Sequence, residues 1–341
     1  VVHPGPNFSV ADVHNGWLEA LRGLGEQVYE YNLDRRISFY DQALLCDDLT
    51  DPDARQAVYK ALTRQQAVEL ASSGILGACY QTWPDVVFIV SAFFIPAVFL
   101  EIIRKRGHKI VMLFTESPYQ DGQQLEMSKY ADLVLLNDPT NLDSYGESGP
   151  AVYMPHAYRP SVHYPAPPGA AKVWDLAFVG TGFPSRVRFF EDMRLDDLAV
   201  KVQGAWFDLP DDSPLRDWEM LGDDDCIDNT DAADIYRQAR AGINFYRREA
   251  EEDHLGEGVA CGPREIEMAA CGLWFCRDPR PESDELFPML PAFSSPAEAS
   301  EQIRWAAANE DLAAKAGAAA RRAIAGRTFG NHARTLLAML T

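Results

Sequence analysis

The 341-residue chain is short of positive charge: 31 Lys and Arg stand against 51 Asp and Glu, a formal net charge of −20. That deficit argues against broad binding to nucleic acid or anionic membranes, because neutralising phosphates needs clustered Lys and Arg. It leaves room for a local basic groove. There is no CxxC pair among the six cysteines, Cys46, Cys79, Cys226, Cys261, Cys271 and Cys276. Their neighbours are core-like, so they read as buried small hydrophobes in a reducing cytoplasm, not as zinc ligands. No apolar run is long enough to span a bilayer uninterrupted. The longest candidate, Val86 to Ile103, is broken by Ser91, Pro96 and Glu101, and reads as a buried strand followed by a helix starting near Pro96. No integral membrane association and no secretory signal are expected. Internal repeats are absent beyond a two-fold alternation of strands and helices.

What is present fits two α/β domains, each with its own core. In the first half, Val1-Val2 and Gln27 to Asn32 read as strands, with a helix carrying Trp17, Leu18, Leu21 and Leu24 between them. Asp53 to Ser73 reads as a long helix. Asp85–Val90, Lys109–Phe114 and Leu133–Leu136 read as apolar strands, separated by helices over Pro96–Arg106 and Gly122–Tyr130. This is a doubly wound parallel pattern. A Pro- and Ala-rich stretch, 158–172, reads as a linker. A second series follows: strand Asp175–Val179, helix Ser185–Met193, strand Val200–Gln203, an acidic loop Asp211–Asp225, helix Ala232–Arg240, strand Ile243–Tyr246 and a helical tail from Pro296. The expected domains are 1–157 and 173–325, with a terminal helix in 326–341 packing back on the first.

The most telling stretch is Cys261 to Asp278. Gly262-Pro263 breaks the chain, and Pro263 suits a first helical turn where Glu265 and Glu267 meet the positive helix end. Gly272 stops the helix, and Leu273 to Cys276 form a short buried strand. A cation, Arg264, and two carboxylates therefore stand at a helix start beside a sheet end, where open α/β sheets bind ligands. Upstream, Gly180-Thr181-Gly182 follows a strand and precedes a helix. Its glycines would let backbone amides approach an anion, and Arg186 or Arg188 would reach a diphosphate.

Arg264, Glu267, Ala270 and Gly272 reproduce the pattern Arg-x-x-Glu-x-x-Ala-x-Gly before a strand, and so resemble the donor motif of GT-B glycosyltransferases, with the CgeB-like, spore-maturation branch as the nearest likeness. Phe114-Thr115-Glu116-Ser117-Pro118, Ala131 to Asp138, Met154 to Ala157, Asp175 to Gly182, Ile235 to Ala239 and Gly242 to Tyr246 fit in order. The resemblance implies two Rossmann-like, doubly wound parallel domains facing across a cleft, the second binding a nucleotide-sugar such as a UDP-sugar and the first an unidentified acceptor. It implies a hexosyl or related transfer that retains configuration and needs neither metal nor other cofactor. Glu267 would take the ribose hydroxyls, with Glu265 a less certain neighbour, and Arg264, Arg186 and the Gly180–Gly182 amides would meet the departing diphosphate. Many relatives carry a second Glu eight residues before the ribose-binding one; here that position is Val259, and Glu257 is out of register.

On the acceptor side, Asp12, His14 and Asn15 crowd the first loop. Asp12 alternatively caps the helix, and His14 alternatively lies on its exposed first turn. Glu116 lies just past a strand end and is the candidate acceptor-side carboxylate, with a solvated loop acid as the alternative; an inverting transfer would need a base, for which Glu116 or His14 is the candidate. His156 either faces the cleft or satisfies a loop carbonyl. Asp223-Asp224-Asp225 matches a metal-binding DxD pattern of another fold, and reads as a solvated acidic loop. A nucleotide-sugar epimerase, a non-catalytic two-lobed receptor and glycosylation of modified DNA bases stand as other readings.

Overall fold

The structure, a computed structural model, describes residues 1–5, 11–41, 43–46, 57–60, 62–206, 209, 211–217, 219–221, 227–249 and 258–341. Two parallel sheets organise it. The first runs Val86–Val90, Lys109–Phe114, Leu133–Leu136, Ala151–Tyr153 in spatial order. Its strands are apolar on both faces, as strands covered by helices on both sides must be. Single bridges from Val2 to Ile89 and to Tyr31 extend the sheet. The second sheet has the order Trp274–Arg277, Ala239–Asn244, Trp174–Val179, Val200–Gln203, Glu219–Leu221, every neighbour parallel. In chain order that is 5-4-1-2-3. The chain leaves the central strand Trp174–Val179 on one side and returns on the other at Ala239–Asn244. Such a reversal leaves a crevice beyond the carboxyl ends of those two strands.

The C-terminal tail forms three helices, Pro296–Ala308, Glu310–Ala323 and Phe329–Leu340. The last crosses to the first domain and packs on the helix Ala11–Gly23. Trp17 is the centre of that contact, 1% exposed, its ring 4.8 Å from Phe88 and 6.2 Å from Phe329. Leu21, Ala333 and Leu336 close around it.

Several expected elements are corrected. The helix read over Asp53–Ser73 is instead Arg64–Thr82. Thr63 starts it with a capping box, its hydroxyl accepting from the Gln66 amide at 3.2 Å while the Gln66 side chain accepts from the Thr63 amide at 2.9 Å. Residues 57–60 are a strand paired antiparallel with 43–46; residues 53–56 lie outside the described residues. The strand read at Gln27–Asn32 narrows to the Tyr31 bridge, and Asn32 caps a helix, Leu33–Tyr40, by accepting from the Arg35 amide. The helix read to Arg240 ends at Gln238, and Ala239–Asn244 is a central strand. Small residues are required there: a Cβ on Gly242 would meet the Met268 sulfur at 2.4 Å. Within the acidic loop read at Asp211–Asp225, the described part holds a 3-10 turn, Pro214–Asp217, and the edge strand Glu219–Leu221; Asp223-Asp224-Asp225 lies outside the described residues.

Trp17→Ala is expected to cost about 3–5 kcal/mol, the range for emptying a buried aromatic site. Urea unfolding measures it. A loss under 1 kcal/mol would mean that the C-terminal helix does not depend on this contact.

Candidate active site in the interdomain cleft

The carboxyl ends of both sheets open on one cleft that encloses about 240 Å³. From the second domain come Gly180 and Thr181 after the central strand, Asn244 and Tyr246 after its neighbour, and the start of the helix Pro263–Ala270. Asp12, Glu116, Asn137, Asp138 and His156 of the first domain form the opposite wall.

The helix start is held from below. Glu265 is wholly buried and accepts from Asn244 Nδ2 at 3.0 Å, Tyr246 Oη at 2.8 Å, Cys261 Sγ at 2.9 Å and the Ser283 hydroxyl. Tyr246 Oη in turn accepts from the Gly262 amide at 3.0 Å. Burial, then the nearby Glu265 carboxyl, push the Tyr246 phenol and the Cys261 thiol well above their ordinary ranges. Glu265 therefore lies beneath the cleft floor and does not line it, contrary to the sequence expectation that it contacts substrate. Two helical positions before Glu267, it turns to the opposite side of the helix and into the core. Glu267 does line the cleft although only 6% exposed. Its Oε1 accepts from Asn229 Nδ2 at 2.9 Å and its Oε2 from Arg264 Nη1 at 2.6 Å, while Arg264 also donates to Asn229 Oδ1 at 3.1 Å. Asn229 was not legible as part of the site; it opens the helix Asn229–Gln238 far upstream.

The glycine turn behaves differently from expectation. The Gly180 amide donates to Gln203 O at 2.9 Å and the Gly182 amide to Ala205 O at 2.8 Å, so neither is free for an anion. They extend the sheet pairing past the strand ends. Close approach explains the glycines: a Cβ on Gly182 would meet the Trp206 ring at 2.5 Å. Gly182 does not line the cavity, whereas Gly180 and Thr181 do. The start of the following helix, Pro184–Glu191, is also occupied. Glu249 accepts from the Ser185 amide at 2.8 Å and the Ser185 hydroxyl at 2.9 Å. Burial raises the Glu249 pKa, but these bonds outweigh it and hold the group below the usual carboxylate range. The Pro184 helix start is thus already served by a carboxylate of the same domain.

Four arginines line the cleft: Arg186, Arg247, Arg264 and Arg280. Arg186 donates to Phe245 O and Thr181 O, both at 2.9 Å, and burial lowers its pKa to about 10, which leaves it charged at neutral pH. Arg247 and Arg280, which sequence reasoning missed, bridge the domains. Arg247 pairs with Glu116 at 3.1 Å and lies over the Tyr119 ring at 4.2 Å. Arg280 donates to Tyr119 Oη at 2.9 Å and stacks on Tyr246 at 3.8 Å. Asp138 crosses too, accepting from the Val259 and Ala260 amides, each at 3.0 Å. The only sequence signal for these residues was their position after strand ends.

On the first-domain wall, Glu116 is pushed above its ordinary pKa by burial, partly offset by Arg247. Asp12 is likewise raised by burial, against the hydrogen bond from Arg159, which reaches it at 2.6 Å. His156 lines the cavity with Nε2 3.3 Å from Asn137 Nδ2, and burial lowers its pKa to about 4. The other two residues expected there are elsewhere. Asn15 is exposed on the helix and His14 is buried beside His3, ring centroids 4.8 Å apart; neither lines the cavity. The helix begins at Ala11, which turns residue 14 inward.

Comparison with solved structures gives the fold. Sucrose-phosphate synthase from Thermosynechococcus elongatus matches 99% of this chain and 96% of its own at 12% identity, TM-score 0.64. A trehalose-6-phosphate synthase, described in work on glycosyltransfer with retention, covers 99% and 98% at 11% identity, TM-score 0.58. HepE from Anabaena, solved with UDP-glucose, covers 79% and 82% at 9% identity, TM-score 0.52. A search of curated proteins by sequence found no match. The fold is the one that GT-B glycosyltransferases share. More particularly, residues 186–338, which contain Arg186, Arg264 and Glu267, match the family described as Glycosyl transferase-like.

His14 supplies a pH test of the buried wall. Neither ring nitrogen has a partner in hydrogen-bonding geometry among the described residues, and burial drives its pKa from 6.5 to about 3. The folded value lies below the unfolded one, so the contribution is complete above about pH 6.5 and is lost as pH falls towards 3. His14→Leu should therefore remove about 2 kcal/mol of the stability lost between pH 7 and 4.5. Urea midpoints at both pH values measure it; parallel losses in the two proteins would place the proton elsewhere.

Proposed function

We propose that this chain transfers a sugar from a nucleotide-sugar to an acceptor held on the first-domain wall. The observation that carries the reading is the Arg264–Glu267–Asn229 triangle at a helix start, at the reversal point of a parallel sheet. An ionised carboxylate has acceptor sites beyond the two used here, enough for two ribose hydroxyls. The first-turn amides of the helix and Arg264, Arg186 and Arg247 would meet the diphosphate. Charge that develops on the leaving group would be stabilised by groups already in place, so the reading requires no metal. UDP is the first base to test, because the HepE structures hold UDP and UDP-glucose. Retention of configuration is supported by the trehalose-6-phosphate synthase likeness. Glu116 and His156 would face the acceptor, Asp12 would shape its pocket, and the nearest branch would be the CgeB-like one.

A cytoplasmic setting fits the four cysteines whose side chains are described, Cys79, Cys261, Cys271 and Cys276, all buried and free. Among the described residues no helix is long and apolar enough to cross a membrane.

UDP or UDP-glucose is expected to bind in the presence of a chelator, and Glu267→Ala to weaken it by about 1.5–3 kcal/mol, the range for hydrogen bonds to a charged group. Calorimetry measures both. The variant should keep its unfolding transition, because Arg264 is left facing cleft water. If no nucleoside diphosphate binds, with or without its sugar, the transferase reading falls; normal binding by the variant would leave Glu267 structural.

Glu116→Gln should lower turnover at least tenfold while changing donor affinity less than threefold, on the order of the separation a group acting after donor binding produces. Steady-state kinetics with the donor varied decides; unchanged turnover removes Glu116 from the mechanism.

A further inference from the structure

The cleft is sorted by charge. All four arginines that line it come from the second domain, whereas the ionisable groups on the first-domain wall are Asp12, Glu116, Asp138, His156 and the Tyr119 phenol. Among the described lining residues, no Lys or Arg comes from the first domain. Arg159, which reaches the wall at Asp12, is committed to Asp12 at 2.6 Å and Glu19 at 3.1 Å.

From this sorting we propose that the acceptor is an uncharged or amine-bearing polyhydroxyl compound and not a phosphate ester. The proposal rests on the donor occupying the second-domain half, as argued above. A phosphate monoester taken out of water needs charged donors around it, and Arg or Lys usually supplies them. On this wall it would meet carboxyl groups. Arg247 and Arg280 are the arginines that reach across; Arg280 serves the Tyr119 hydroxyl, and Arg247 pairs with Glu116 and would turn to the donor diphosphate once that is bound. Hydroxyl groups suit the wall. Carboxylates accept from them, and the Asn137 amide and His156 ring offer neutral polar partners, His156 being uncharged at neutral pH. An ammonium group on the acceptor would add direct attraction to Glu116 and Asp138. The chain would then differ from the synthases it is similar to in fold, whose names refer to sugar phosphates.

The test uses the full chain saturated with UDP and repeated without it. Matched pairs are titrated by ligand-observed NMR competition and calorimetry: glucose against glucose 6-phosphate, glucosamine against glucosamine 6-phosphate, glycerol against glycerol 3-phosphate. In each pair that binds, the unphosphorylated member is expected to bind at least tenfold more tightly, and Glu116→Gln to weaken glucosamine more than glucose. Equal or tighter binding of a phosphorylated member overturns the proposal. So does failure of every unphosphorylated member to bind. Absence of UDP binding would instead sink the donor reading, while the repeat without nucleotide still judges the acceptor wall.

Discussion

A buried carboxyl group holds the cleft floor. Glu265 collects donors from the strand end at Asn244, the loop at Tyr246, the turn at Cys261 and the helix at Ser283. These elements are separate in sequence, and their common acceptor ties them to the start of the Pro263 helix. A satisfied buried polar network rigidifies, whereas one with a member removed leaves costly unpaired groups. The direction of Arg264 and Glu267 follows from it. Glu265 and Glu267 are two residues apart and on different sides of the helix, one beneath the floor and one on it, so the carboxylate that positions and the carboxylate that faces the cleft divide the work.

That division was only half legible in the sequence. The run Gly262-Pro263, two acids, small residues and Gly272 specifies a capped short helix before a buried strand, and the helix Pro263–Ala270 and strand Trp274–Arg277 are there. Which acid turns inward depends on where neighbouring elements place their donors, and no local pattern carries that. The glycine turn shows the same limit. Gly180 and Gly182 signal close backbone approach, but the approach is to Gln203, Ala205 and the Trp206 ring. A glycine reports that space is tight, not what fills it. By contrast, the misplaced helix over Asp53–Ser73 had a local remedy in the Thr63–Gln66 capping box, and the mistaken helix end at Arg240 reflects alanine propensity overridden by a central strand's need for small residues.

The two domains meet through charged and polar bonds more than through apolar surface at the cleft itself. Asp138 caps two amides of the other domain, Glu116 holds Arg247, and Glu282 accepts from Tyr153 Oη at 2.8 Å. Arg327, at the start of the crossing to the last helix, also reaches Glu282. Such contacts are exchangeable with water and with ligand groups at modest net cost, unlike the Trp17 contact, where separation would expose aromatic surface. The terminal helix thus tethers the domains at one edge while the cleft bonds can be replaced.

That contrast explains how one cleft can be both well ordered and open to chemistry. Arg247 is held by Glu116 and Tyr119 of the first domain, but it lies among the second-domain cations that an incoming diphosphate would meet. A diphosphate competing for Arg247 would release Glu116 on the acceptor wall. A freed carboxyl group whose pKa is already raised by burial is suited to accept a hydroxyl proton, whereas the same group in its ion pair is a weaker base. The Glu116–Arg247 pair is therefore the point at which filling the donor half would alter the acceptor half. On the proposed function, the charge sorting of the cleft would give that coupling a direction: anion to the arginines first, hydroxyl to the carboxylate after.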